Sequence, residues 1–120
     1  MAASPAWEIP MSDVLLVLTN LPDTEHAAKL AASLVEERLA ACVNILAPCT
    51  SVYRWQDTIQ TGSEIPLLIK TTVERYPALE TAIRARHPYE LPEVIAVPVE
   101  RGLPEYLQWV DTETTPIAPN

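Results

Sequence analysis

The sequence predicts an α+β sandwich of the ferredoxin-like type, βαββαβ, with a long β2–β3 hairpin and an added C-terminal helix. Three observations predict it. An apolar run, Asp13–Thr19, leads into apolar residues at helical spacing. A stretch between residues 43 and 72, rich in β-formers, then doubles back on itself. A second helical stripe and a further apolar run, Val94–Val99, complete the succession. At 120 residues the chain reads as one domain, able to bury about two-thirds of its unfolded surface. That domain is expected over residues 13–112, between a loose arm (1–12) carrying Pro5 and Pro10 and a flexible tail (113–120).

The elements follow in order. Asp13–Thr19 suits a central strand covered on at least one face. Asn20-Leu21-Pro22 is turn chemistry, and Asp23 or Thr24 caps the helix that follows. Ala27, Leu30, Ala31, Leu34, Val35 and Leu39 recur at 3.6 spacing, against Glu25, Lys29, Glu36, Glu37 and Arg38. The spacing predicts a helix over 24–39, with His26 an ordinary surface residue in its first turn. Val43–Leu46 begins a strand that resumes at Ser51–Trp55, reverses over Gln56-Asp57-Thr58 and returns as Ile59–Thr72. Tyr53 and Trp55 share one face, Val52 and Arg54 the other. Pro66 cannot donate to a ladder and marks a bulge or an edge. Pro77 fits the first turn of a second helix, with Leu79, Ala82 and Ile83 buried, ending at Arg86 or His87 before Pro88. Val94–Val99 is the last strand, placed at an edge by Pro98, and Gly102-Leu103-Pro104 opens a helix containing Tyr106, Leu107, Trp109 and Val110.

The hairpin is too long for its domain. Arms of about fourteen residues reach about 45 Å, against a diameter of roughly 35 Å for a chain of this size. An overhanging ribbon bearing Tyr53, Trp55 and Ile59 invites a neighbour, and a symmetric oligomer is the expected cover.

Composition narrows the function. A net charge of −8 argues against binding a phosphate backbone. No apolar run approaches the roughly 20 residues that span a bilayer, and residues 1–11 show no secretory pattern, so the cytoplasm is the expected compartment. Cys42 and Cys49 form no CxxC and read as simple thiols. Common catalytic and nucleotide motifs are absent, which points away from an enzyme.

What remains is Arg86-His87-Pro88-Tyr89-Glu90-Leu91-Pro92-Glu93-Val94-Ile95. Its prolines favour extended backbone at His87 and Leu91, making a stiff connector that aims polar side chains. His87 suits a metal ligand or an acid/base near neutral pH, with Tyr89, Glu90 and Glu93 beside it. Lys70 ends an apolar strand run, with its amine either in a cleft or snorkelling to water. Cys42 opens a strand as a small hydrophobe, and Trp55 near the hairpin tip fits intersubunit packing.

Five blocks carry a resemblance: Glu37–Asn44, Ser51–Trp55, Ile69–Thr72, His87–Glu93 and Tyr106–Trp109. In order and spacing they resemble the CutA divalent-cation tolerance family, from about Asp13 to Asp111. The resemblance implies a cytoplasmic ferredoxin-like homotrimer, related in architecture to PII signalling proteins, and an association with divalent metals, copper above all. Its cofactor is then a divalent cation, copper or zinc, with Cys42, Trp55, Lys70, Tyr89, Glu90 and Glu93 as candidates for a cleft between subunits. Family copper ligands are attributed to a cysteine ending the first strand and a His-His pair before Pro-Tyr. Here those positions are Thr19, Arg86 and His87, so only His87 is retained as a metal ligand. The alternative is a PII-like small-molecule sensor or scaffold with no metal role, and a third reading makes His87 a general acid/base. Asp57 stands where the family's reversal often has glycine, and Pro66 also departs from the family's strand.

Overall fold

The structure is a computed structural model and describes residues 12–117. Most of the expected N-terminal arm, residues 1–11, lies outside the described residues, as do residues 118–120. Ser12 is held: its hydroxyl donates to the Val99 carbonyl at 2.8 Å and accepts from the Val14 N–H at 3.0 Å.

The elements are β1 (Val14–Leu21), α1 (Thr24–Glu36), β2 (Cys42–Ile45), β3 (Cys49–Trp55), β4 (Thr58–Thr72), α2 (Tyr76–Arg86), β5 (Ile95–Pro98) and α3 (Pro104–Thr114). β4 lies at the centre. β1 pairs along one side of it, β2 and then β3 along the other, and β5 pairs with the far side of β1. Every pairing is antiparallel. β2 and β3 together form the expected first arm, so the succession is βαββαβ plus a helix, with Pro98 on the outermost strand.

Pro66 sits where its missing N–H does least harm. Ile45 pairs with Leu67 and Cys49 with Glu64, so residues 46–48 face only residues 65 and 66: a bulge. The Pro66 carbonyl still accepts from the Leu46 N–H at 3.0 Å, and pairing with Asn20 on the opposite side is unbroken.

One face of the sheet is dry. Val17 and Leu21 of β1 and Ile65, Leu67 and Ile69 of β4 pack under Leu30 and Leu34 of α1 and Leu79 and Ile83 of α2. Each such buried side chain contributes roughly 1.5–3 kcal/mol. α3 packs on the other face, where Val110 joins Val14 and Ala41 at one end. The rest of that face, including Ile95 and Val97, is left open by the chain's own helices.

α1 is shorter than its apolar spacing predicts. It stops at Glu36 because Arg38 turns left-handed, at φ 58°, and the Leu39 N–H returns to the Leu34 carbonyl at 2.9 Å. Leu39 is therefore buried beyond the helix, while Val35 is exposed. α3, in contrast, continues to Thr114, past the start of the expected tail at 113. The Arg38 guanidinium explains this: it donates to the carbonyls of Thr112 (3.0 Å), which also accepts the Thr115 N–H (3.3 Å), and of Thr115 (2.8 Å), at a helix end short of backbone donors. Thr114 is buried, and its hydroxyl donates to the Val110 carbonyl at 2.8 Å.

Asp23 caps α1, its carboxylate accepting the His26 N–H at 2.8 Å. The β3–β4 reversal is a two-residue turn with Gln56 at φ 50° and Asp57 at φ 63°. The ribbon beyond it makes the molecule elongated, 57 × 42 × 23 Å, with a radius of gyration of 16.5 Å. A compact chain of this length has about 14 Å.

Arg38 separates two effects in one side chain. Arg38→Ala keeps the left-handed backbone and loses the α3 cap, so urea unfolding should show a loss of about 1–2 kcal/mol. Arg38→Gly loses the same cap but relieves the backbone, and should unfold later than Arg38→Ala by about 1 kcal/mol.

Candidate functional site

The site begins where α2 ends. Pro88 disfavours helix for its predecessor, and His87 is extended at φ −77°, ψ 136°. This swings its ring under the end of β1. His87 is 8% exposed, and both ring nitrogens are engaged. Nε2 lies 2.6 Å from the Asn20 carbonyl oxygen, and Nδ1 lies 3.1 Å from the Tyr89 backbone nitrogen. A carbonyl only accepts and an N–H only donates, so the pattern assigns a neutral imidazole with its proton on Nε2. Burial pushes the His87 pKa down, partly opposed by the bond to Asn20.

His87 in turn places Tyr89. The two rings lie tilted, with centroids 4.7 Å apart. Burial first, then the nearby Glu64 carboxylate, push the Tyr89 hydroxyl up to about 12. Tyr89 is thus a neutral phenol that lines the same space as the Glu64 carboxylate.

Around this chain of contacts opens a cleft of about 700 Å³. The hairpin contributes Tyr53, Trp55 and Glu64, the proline segment contributes Tyr89, Glu90 and Glu93, and Asn20 lies between them. Four candidates from the sequence, Trp55, Tyr89, Glu90 and Glu93, are brought together here. Cys42 and Lys70 are not. They face each other across β2 and β4, with Nζ 3.9 Å from Sγ, and Lys70 also donates to the Asn44 side-chain oxygen. Lys70 is six residues along β4 from Glu64, about 20 Å away. Tyr106 lies beside Cys42, its pKa raised by burial and then by that thiol.

Glu64, Tyr53 and Asn20 were not singled out as site residues by the sequence. Tyr53 was within reach, since it shares a strand face with Trp55. Glu64 was not: its place opposite Cys49 depends on the bulge at Pro66, which no local pattern locates.

The three positions of the family's copper site do not fit copper here. Thr19 is buried, and its hydroxyl has no hydrogen-bond partner among the described residues. Arg86 is spent on Glu37, with two contacts of 2.6 and 2.8 Å, and on the Ser33 hydroxyl at 3.0 Å. That pairing holds the Glu37 carboxyl low and raises Arg86. His87, the expected metal ligand, has no free nitrogen unless it releases Asn20 or Tyr89. A soft cation wants a thiolate or an available imidazole, and this set supplies neither. Among the described residues, no three of His, Cys, Asp and Glu are grouped to hold a metal ion.

The lowered pKa of His87 makes stability depend on pH in a definite direction. The unfolded ring takes a proton near its ordinary value of about 6.5, whereas the folded ring resists until lower pH. Its contribution is therefore complete above about pH 6.5 and declines as pH falls toward the folded value. Urea midpoints measured across this range should fall with acid in the wild type. They should fall less steeply in His87→Gln, which cannot titrate.

Comparison with known proteins accords with this architecture. Residues 15–113 match the family described as CutA1 divalent ion tolerance protein. The chain is 46% identical to the divalent-cation tolerance protein CutA of Thermus thermophilus over 99 residues, 82% of this chain and 96% of that one. It is 42% identical to Protein CutA of Mus musculus over 97% of this chain, which spans 65% of that longer relative. CutA from Xylella fastidiosa, a solved structure, is similar at a TM-score of 0.85 and 51% identity, covering 87% of this chain and all of that one. By sequence and by α+β fold alike, the chain belongs to the CutA1 divalent ion tolerance family.

Proposed function

We propose that the protein works as a homotrimer of the divalent-cation tolerance type, a ligand-responsive assembly whose cleft beside Tyr89 is completed by a neighbouring subunit. One observation carries this reading: the apolar surface that the chain's own elements leave open. Ile95 is 52% and Val97 49% exposed on the sheet face away from α1 and α2, next to half-buried Leu16, Leu18 and Leu68. The ribbon exposes Val52 and Ile59 as well, by 68% and 65%, on its other face, the one that carries Ile65 and Leu67. Exposed apolar surface together with unpaired strand edges is what soluble proteins cover by association, and closed rotational symmetry leaves no edge for further growth.

The role in divalent-cation tolerance is taken from the Thermus relative's name, and it does not run through copper on His87. The engaged imidazole and the aromatic walls of the cleft favour a second description, a PII-like small-molecule sensor in which the cleft is the ligand site. The proposed action is binding, not catalysis, because His87 has no nitrogen free for proton transfer to a substrate. The cytoplasm is the proposed compartment, since it keeps the two free thiols, Cys42 and Cys49, reduced.

Light scattering on the purified chain tests the assembly. The expected mass is three times 13.3 kDa, falling toward one subunit when Ile95 and Val97 are both replaced by lysine. A monomeric wild type would overturn the reading. On the same material, copper and zinc titrations should give the same isotherms for wild type and His87→Gln, and a weaker isotherm for the variant would return His87 to a metal role.

A further inference from the structure

The cleft has a chemical character that narrows its ligand. Among the described residues its lining includes three carboxylates, Glu64, Glu90 and Glu93, and no lysine or arginine to neutralise them. Tyr53, Trp55 and Tyr89 supply three aromatic rings to the same space. Among the described residues the carboxylates do not form a group able to hold one metal ion. A bare divalent ion needs several oxygens at about 2.0–2.6 Å from one point. Charges spread around a cleft with aromatic walls instead match a cation that is itself extended and partly apolar.

We infer that this cleft takes an organic cation, an alkylammonium or guanidinium group, seated against Trp55, Tyr53 and Tyr89 and paired with Glu64, Glu90 and Glu93. The inference rests on the cleft being a ligand site, as proposed above, and adds the class of ligand. Aromatic faces attract cations through their quadrupole, tryptophan most strongly, and they also cover the alkyl stem that an inorganic ion lacks. Tyr89 is set in advance, because its ring lies against the His87 ring, with centroids 4.7 Å apart, and His87 is itself held at both nitrogens. An aromatic ring held in place loses little freedom on binding, so more of the attraction is kept as affinity. A cleft of about 700 Å³ is also within the usual range for small-ligand sites.

Calorimetry on the full chain in its assembled state tests the inference, with spermidine as the cationic probe and 1,8-octanediol as an uncharged probe with an alkyl stem. Spermidine should bind saturably and the diol should not. Glu64→Gln and Trp55→Leu should each weaken spermidine about five- to tenfold, whereas Glu36→Gln, an exposed carboxylate on α1, should leave it unchanged. The inference is overturned if spermidine shows no saturation, or if Glu36→Gln weakens it as much as Glu64→Gln does, which is the behaviour of a diffuse acidic surface. Light scattering on the same samples separates this failure from that of the assembly. A trimer that binds no spermidine overturns the ligand class alone, and a monomer that binds it overturns the trimer and upholds the ligand class.

Discussion

The cleft depends on one buried imidazole held at both nitrogens. His87 ties the end of β1, through the Asn20 carbonyl, to the proline segment, through the Tyr89 N–H. The prolines give that segment a shape, and the imidazole gives it a position relative to the sheet. Loss of either bond strands a part-buried polar group, at about 1–3 kcal/mol. Adding a proton to Nδ1 would set two N–H groups against each other, so the ring performs this task only while neutral. A histidine used in this way is a fastener. The same two contacts that make it structural would have to be released for either nitrogen to take a metal ion or a substrate proton.

The second constraint is the length of β4. Its later residues alternate in and out of the core, with Ile65, Leu67 and Ile69 buried, while Thr58–Thr61 are exposed at the other end. Glu64 and Pro66 mark the change. There β2 gives way to β3 through the bulge, β1 ends at Leu21, and the cleft opens. The site therefore sits where a core strand leaves its core, and the same excess of strand supplies apolar surface for a neighbour. Arg38 does comparable work at the opposite side of the molecule, ending one helix with its backbone and another with its guanidinium.

Much of the fold was legible in the sequence because it is written in short-range patterns. The apolar run of β1, the 3.6 spacing of α1, Pro77 at the start of α2 and the proline stop at Pro88 are all local. The departures come from distant partners. The residues after Glu36 keep helical spacing, but the left-handed turn at Arg38 brings Leu39 back onto Leu34. Residues 113 and 114 look like tail until Arg38, 77 positions before Thr115, caps the helix that contains them. The proline wall was legible as a site for the same local reason, since stiff backbone and polar side chains coincide there. Glu64 was not, because a one-residue change of register at the bulge decides which residue lines the cleft with Tyr89. Nor does the sequence say that both His87 nitrogens find partners in the backbone, so a histidine among carboxylates reads as a ligand until the sheet is in place.

The central claim is that His87 is a neutral fastener with its proton on Nε2, and nitrogen NMR of the chain carrying 15N-labelled histidine tests it most directly. With His26 assigned by substitution, the remaining ring at pH 7 should show a protonated Nε2 and a bare, hydrogen-bonded Nδ1. Stoichiometric zinc should leave both resonances in place. A proton on Nδ1, an imidazolium at that pH, or a zinc-induced shift of either nitrogen would contradict the account.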